Sequence, residues 1–317
     1  MYCDRQRLST ETTEKPLILD VLRSRASSRM NDSTGLFEKK QNAISVLRKH
    51  RGVLVALSGG VDSATLLAIA CEALGPERVL AVTGRSAAVT NGEIEDARLV
   101  ARALQVDHEI VDTRELDRPG YRANAGDRCF HCRSELFAVL EGTARTRGLE
   151  AIAYGAIVDD LGDDRPGMEA ARRLGILAPF LEANISKADV RILANQFGIH
   201  VHDKPASACL ASRIPVGVEV TPERLAQVNR AEAGLRRLGF RVFRVRHHGE
   251  IARLEFGDGE AARLDLGTVR QAVVAAVLEA GFKFAVLDLE GYRAGGAGKP
   301  SRAERLYRID PSRESGQ

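Results

Sequence analysis

No apolar run in this chain of 317 residues approaches the roughly 18 that a membrane span requires. Neither sign of charge dominates. The chain has 46 Lys and Arg against 43 Asp and Glu, a net charge of +3, which argues against nucleic acid as the main partner. The first 32 residues lack the apolar stretch of a secretory signal and read as a polar, disordered leader. These absences point to a cytoplasmic protein. Five cysteines in a reducing compartment point to metal binding or catalysis before disulfides. No internal repeat is present. What remains is an ordinary globular composition, 44% hydrophobic, with a length that suggests two domains.

After residue 40, helix and strand patterns alternate. Strands are expected at 53–57, 79–83, 107–111 and 151–154. Helices are expected at 42–50, 63–74, from an Asn91 cap onward, at 134–147 and from a Ser186 capping box to Phe197. Such alternation implies an α/β fold, a parallel sheet flanked by helices. Near residue 214 the pattern changes. Thr221-Pro222 opens a helix to Leu238, strand-like runs follow at 241–247 and 251–256, and a helix at 259–280 and a strand at 283–289 close a smaller C-terminal α+β domain. The expected organisation is a leader over 1–32, a nucleotide-binding domain over 33–213, a small substrate domain over 214–293 and a mobile tail over 294–317.

The junction Ser58-Gly59-Gly60-Val61-Asp62-Ser63 lies between the first strand and the next helix. A glycine turn feeding a helix start aims backbone N–H groups and the positive end of the helix dipole at one point, where an anion binds. Ser58 and Ser63 can add hydroxyl bonds, and Asp62 can position Mg²⁺ or complement the dipole. The turn lacks the lysine of a Walker A loop and the third glycine of the dinucleotide fingerprint. Ligands of parallel sheets sit at the carboxyl ends of the strands, so Gly84 and Arg85, at the end of the second strand, mark the natural place for adenine.

Cys129-Phe130-His131-Cys132 is a C-x-x-C pair, and Cys209 stands alone far downstream. The context is wrong for a thioredoxin-like pair. A structural zinc would need a fourth ligand, from His131 or His202, and no second cysteine pair exists. An iron–sulfur cluster would use all three thiols and leave one iron open. Spacing alone does not separate zinc from cluster. Cys71, in an apolar helix, reads as a core residue, and Cys3 lies in the leader. Arg244 and Arg246, two apart on a strand, share one face and can grip a phosphate; a solvated face is the alternative, and Arg213 is open to the same two readings. His247 and His248 read equally as surface residues or acid–base helpers, and Asp159, Asp160, Asp163 and Asp164 as a solvated acidic loop.

The Ser58–Ser63 turn resembles the PP-loop of the ATP pyrophosphatase superfamily. With Asp127–Cys132, Lys204–Arg213 and Phe243–His248 it resembles the LarE family, the sulfur-insertion enzymes of nickel-pincer cofactor synthesis, from about residue 40 to Arg293. The resemblance implies ATP-dependent adenylation of a carboxylate on a pyridinium dicarboxylate mononucleotide, followed by replacement of oxygen by sulfur. It implies that Cys209 is catalytic, that Arg244 and Arg246 bind the substrate phosphate, and that Ser212 and Glu232 occupy other active-site positions. One version of the family gives up the sulfur of a lone cysteine. The other holds a [4Fe-4S] cluster on three cysteines, which here would be Cys129, Cys132 and Cys209. The three-cysteine set favours the cluster version, with a sulfide source as a partner, and the family implies a homo-oligomer. A tRNA-thiolating PP-loop enzyme, an amide-forming PP-loop ligase and a non-catalytic nucleotide-binding protein with a structural zinc are the alternatives. The first predicts a basic RNA face, the second leaves the cysteines unexplained, and the third predicts no pyrophosphate release.

Overall fold

A computed structural model describes residues 33–161, 166–205 and 208–292. The expected leader and tail, Cys3, Asp163, Asp164 and Ser207 lie outside the described residues. Among the described residues no helix is long and apolar enough to cross a membrane.

Four parallel strands, β1 (Val53–Ala56), β2 (Val79–Arg85), β3 (Asp107–Asp112) and β4 (Ala151–Ala153), form one sheet in the order β3-β2-β1-β4. Side chains alternate across it. Val53, Val55, Val79 and Ala81 enter one core with α1 (Ser33–Leu47), α2 (Val61–Leu74) and α8 (Lys187–Gln196). Leu54, Leu80, Val82 and Ile152 enter a second core on the opposite face with Phe137 and Leu140 of α5 (Arg128–Thr146). Both faces are covered, which is why these strands read as continuous apolar runs.

The remaining helices of this part are α3 (Asn91–Ala103), α4 (Pro119–Ala123), α6 (Pro166–Arg173) and α7 (Pro179–Glu182). The parallel sheet and flanking helices are as expected, with local differences. α1 starts at Ser33 and ends at Leu47, ahead of the expected 42–50, because its apolar residues from Leu36 onward pack on the first core, against α2 and α7. Thr90, not Asn91, caps α3: its hydroxyl accepts from Glu93 N at 3.3 Å while Glu93 Oε2 accepts from Thr90 N at 3.0 Å. The Ser186 box forms as expected, with Asp189 N donating to Ser186 Oγ at 3.2 Å. α5 starts at Arg128, so the C-x-x-C pair lies on the first turn of a helix. Cys71 packs against the first core, and burial pushes its thiol up to about 12.

The second sheet has the order β5-β6-β7, from β5 (Phe243–His248), β6 (Ile251–Phe256) and β7 (Phe284–Leu287). β5 and β6 are antiparallel, and β6 and β7 parallel. α9 (Pro222–Arg237) and α10 (Gly267–Glu279) pack on it. The expected helix at 259–280 begins with a separate 3₁₀ turn, Ala261–Asp265, before α10. The core of this sheet also takes in Ala88, Tyr121, Leu210 and Ala211. It therefore reaches past residue 214, back to the segments after β2 and around α4.

Candidate active site

The turn between β1 and α2, the expected anion site, is held by close packing. Gly59 has φ of 74°, and a Cβ there would stand 2.2 Å from Glu93 O, so only glycine fits against α3. Gly60 caps α2 without any side-chain hydrogen bond, so no capping side chain occupies the first-turn N–H groups. Ser63 Oγ receives the Ser58 N–H at 3.1 Å and lies 3.0 Å from Ser58 Oγ. Asp62 pairs with Lys187 Nζ at 2.7 and 2.8 Å. Burial raises its carboxyl above the usual range, and Lys187 opposes the rise. Gly155 follows β4 so tightly that a Cβ would meet the Asp62 carbonyl carbon at 2.9 Å. Gly84 lies under Leu136, while Arg85 is exposed and paired with Asp112 at 2.7 Å.

The segment from Lys204 to Arg213 runs from this turn to the thiols. Lys204 Nζ donates to Gly59 O at 3.0 Å and pairs with Asp96 at 2.5 Å. Cys209 follows five residues later, so its Cα lies within about 18 Å of the Lys204 Cα. Leu210 N donates to Ala88 O at 2.9 Å, tying Cys209 to the connection after β2. Cys209 caps the 3₁₀ turn Leu210–Arg213. Arg213 folds back over it: Nη1 donates to Ala208 O at 2.6 Å, Cys209 O at 3.0 Å and Ser212 Oγ at 2.9 Å. Arg128, from the start of α5, donates to Ala211 O at 2.8 Å.

Cys132 and Cys209 are half-buried and pack on the same core, while Cys129 is exposed. Burial, then the nearby Cys209, pushes the Cys132 thiol up to about 12, with a smaller push from Cys129. Cys132 thus lies within electrostatic reach of both other sulfurs. Among the described residues no three His, Cys, Asp or Glu side chains stand together as ligands of one metal ion.

Around Ser212 lies a cluster of guanidinium groups. Arg213 Nε pairs with Glu232 at 2.8 Å, both side chains fully buried. Arg246 Nε pairs with Glu255 at 3.0 Å, and its Nη1 donates to Ser212 O at 2.8 Å. Arg244 lies over the Tyr292 ring at 4.9 Å. Burial lowers its pKa, and the positive charges of Arg213 and Arg246 lower it further, so the three cations converge. Burial pushes the Glu232 carboxyl up, but Arg213 and Arg236 outweigh that and hold it below the usual range. His247 turns inward, edge-on to Phe282 at 5.5 Å and 3.2 Å from Gln227 Oε1, whereas His248 is exposed. Asp160 closes the turn on Ile157 N at 3.2 Å, and Asp159 accepts from Lys187 N at 2.8 Å, so both acids act in local structure.

The chain is similar to several known proteins. The NAD synthase family pattern matches residues 41–160, the stretch that holds the glycine turn. An uncharacterized protein of Synechocystis is 39% identical over 242 residues, 76% of this chain and 90% of the relative. The pyridinium-3,5-bisthiocarboxylic acid mononucleotide synthase of Lactiplantibacillus plantarum is 33% identical over 260 residues, 82% of this chain and 94% of that protein. The chain belongs to the LarE family. An uncharacterized protein of Methanocaldococcus jannaschii is 24% identical over 259 residues, 81% of this chain and 96% of that relative. Within this LarE-family chain, sequence reasoning missed Lys187, Arg128, Glu115 and Tyr121. Arg128 and Lys204 stood in segments already singled out, Asp127–Cys132 and Lys204–Arg213, without a role for either, and Lys187, Glu115 and Tyr121 carry no local motif.

Proposed function

We propose that this protein is an ATP-dependent sulfurtransferase that converts a carboxylate of a pyridinium dicarboxylate mononucleotide to a thiocarboxylate. The family relationship and the name of the Lactiplantibacillus relative support the substrate. The observation that carries the reading is the Lys204–Arg213 segment, which is anchored at one end on the glycine turn and at the other among the cations, with Cys209 between them.

A carboxylate is a poor electrophile because oxide must leave. In the proposed reaction the pyrophosphate of ATP lies at the start of α2, on the uncapped N–H groups and Ser58, Gly59, Gly60 and Ser63. Asp62 would hold Mg²⁺, which would offset the pyrophosphate charge, and Gly84 and Arg85 border the adenine. A substrate carboxylate oxygen attacks the α-phosphorus and pyrophosphate leaves. An anionic sulfur then attacks the acyl carbon; the C–S bond forms, the C–O bond to phosphate breaks, and AMP leaves with the electron pair. Ser212, Arg244 and Arg246 hold the mononucleotide, whose phosphate matches the cation cluster, and the buried Arg213–Glu232 pair positions the turn that carries Ser212.

The same reading gives Cys129, Cys132 and Cys209 a [4Fe-4S] cluster, which would supply an open iron to carry sulfide. The donor chemistry fits: three thiols, Cys132 and Cys209 packed on one core and Cys129 exposed. Each thiol would hold a different iron of such a cluster, so the three need not converge on one metal ion. A nucleotide unit over 33–213 and a substrate unit over 214–293 complete the proposal, with the second core bridging them through Ala88 and Tyr121. The test is Cys209→Ala. It is expected to release pyrophosphate in the presence of the carboxylate substrate and to form no thiocarboxylate. Loss of pyrophosphate release as well would move Cys209 to the adenylation step and refute its assigned role.

A further inference from the structure

Tyr121, in α4, is 1% exposed, and its hydroxyl has no hydrogen-bond partner. Buried tyrosine hydroxyls ordinarily find one, because losing water without replacement is costly. The position is fixed by close packing. α4 lies so near α5 that a Cβ on Gly120 would stand 2.1 Å from His131 Nε2. Arg128 donates to Asn124 Oδ1 at 2.7 Å and to Ala211 O at 2.8 Å, joining the end of α4 to the turn that carries Cys209. Cys132 and Cys209 pack against the core that contains Tyr121, and a charge on either sulfur is felt at its hydroxyl.

A second group sharpens the point. Glu115, just before α4, is 3% exposed and has no side-chain hydrogen bond or ion pair among the described residues. Its charge reaches both Tyr121 and Cys132. A structural pocket would pair the donor with the acceptor, but the Tyr121 hydroxyl makes no such bond. A buried donor without an acceptor, in the core on which Cys132 and Cys209 pack, is what an anionic sulfur bound there would satisfy.

We propose that the Tyr121 hydroxyl donates a hydrogen bond to the sulfur delivered at Cys132 and Cys209, making Tyr121 a positioning residue for the sulfur-transfer half of the reaction. The inference rests on the sulfurtransferase reading and adds a residue to its sulfur site. Tyrosine keeps its proton here, so it acts as a neutral donor, and a charge-assisted bond of this kind is stronger than a neutral one.

The experiment compares the full chain with Tyr121→Phe, anaerobically, using sodium sulfide as the sulfur probe. Three readouts are taken: thiocarboxylate formed per pyrophosphate released, the KM for sulfide, and the thermal midpoint without ligands. In the variant, the KM for sulfide is expected to rise about tenfold and the coupling ratio to fall at limiting sulfide. The thermal midpoint is expected to stay level or rise, since the removed hydroxyl bonds to nothing in the resting protein. A variant with unchanged sulfide KM overturns the inference alone. A variant that melts lower also overturns it, because the hydroxyl would then have a structural partner. A parent protein that releases pyrophosphate but forms no thiocarboxylate overturns the functional reading, and this inference with it.

Discussion

Glu232→Gln is the sharpest test of the buried ion network. The Glu232 carboxylate is fully buried and accepts from Arg213 Nε at 2.8 Å, Arg236 Nη2 at 2.9 Å and Val245 N at 3.3 Å. The amide keeps the shape but leaves the Arg213 guanidinium, 1% exposed, without a counter-charge. Breaking such a pair from one side costs about 3–5 kcal/mol, a large share of the roughly 5–15 kcal/mol that holds a folded domain. At about 2–4 °C per kcal/mol, the midpoint falls by about 6–20 °C. Arg213→Met combined with Glu232→Leu removes both charges and is expected to recover most of the loss. The parent protein has its own signature in acid. The Glu232 carboxyl is held below its unfolded value, so its contribution is present above the usual carboxylate range and is lost as pH falls through the lowered folded value. Thermal melts followed by circular dichroism from neutral to acid pH measure both effects. A loss below about 1 kcal/mol for Glu232→Gln, the scale of a surface pair, would refute the reasoning.

Three further outcomes follow from the site. Gly59→Ala forces a Cβ to 2.2 Å from Glu93 O at a φ of 74°; ATP binding by calorimetry is expected to be lost, and retained affinity would show that the turn is not the pyrophosphate site. Lys187→Ala removes the cation that opposes the burial-driven rise of Asp62. The ATP KM in a pyrophosphate assay is expected to rise about tenfold, more at acid than at alkaline pH because protonation of Asp62 is then easier; a flat pH profile counts against the pair. Arg246→Ala is expected to raise the KM of the mononucleotide far more than that of ATP, whereas equal effects would take Arg246 out of the substrate site.

Much of the fold was legible because periodicity survives in local sequence. The strands from Val53, Val79 and Ala151 are apolar on both faces since helices cover both sides of the sheet. The Ser186 box was readable because its donor and acceptor lie three residues apart. Thr90 was missed because Asn91 beside it is an equally good capping residue, and only the reciprocal bond to Glu93 decides. At the site, the glycine turn announces itself through chemistry confined to six residues. Partnerships between distant residues do not: Lys187 with Asp62, Arg213 with Glu232 and the core shared by Tyr121, Cys132 and Cys209 are made by tertiary packing, and nothing near them in sequence encodes the partner. The strand pattern placed Arg244 and Arg246 on one face but did not reveal that Arg246 is already engaged by Glu255.

The central claim is that one chain activates a carboxylate with ATP and replaces its oxygen with sulfur. Anaerobic incubation of the full chain with ATP, Mg²⁺, a pyridinium dicarboxylate mononucleotide and sulfide, with AMP, pyrophosphate and thiocarboxylate quantified together, tests it directly. The account predicts the three products in equal amounts, and none of them without the carboxylate substrate. Pyrophosphate release without any sulfur in the product, or an amide formed when ammonia replaces sulfide, would contradict it.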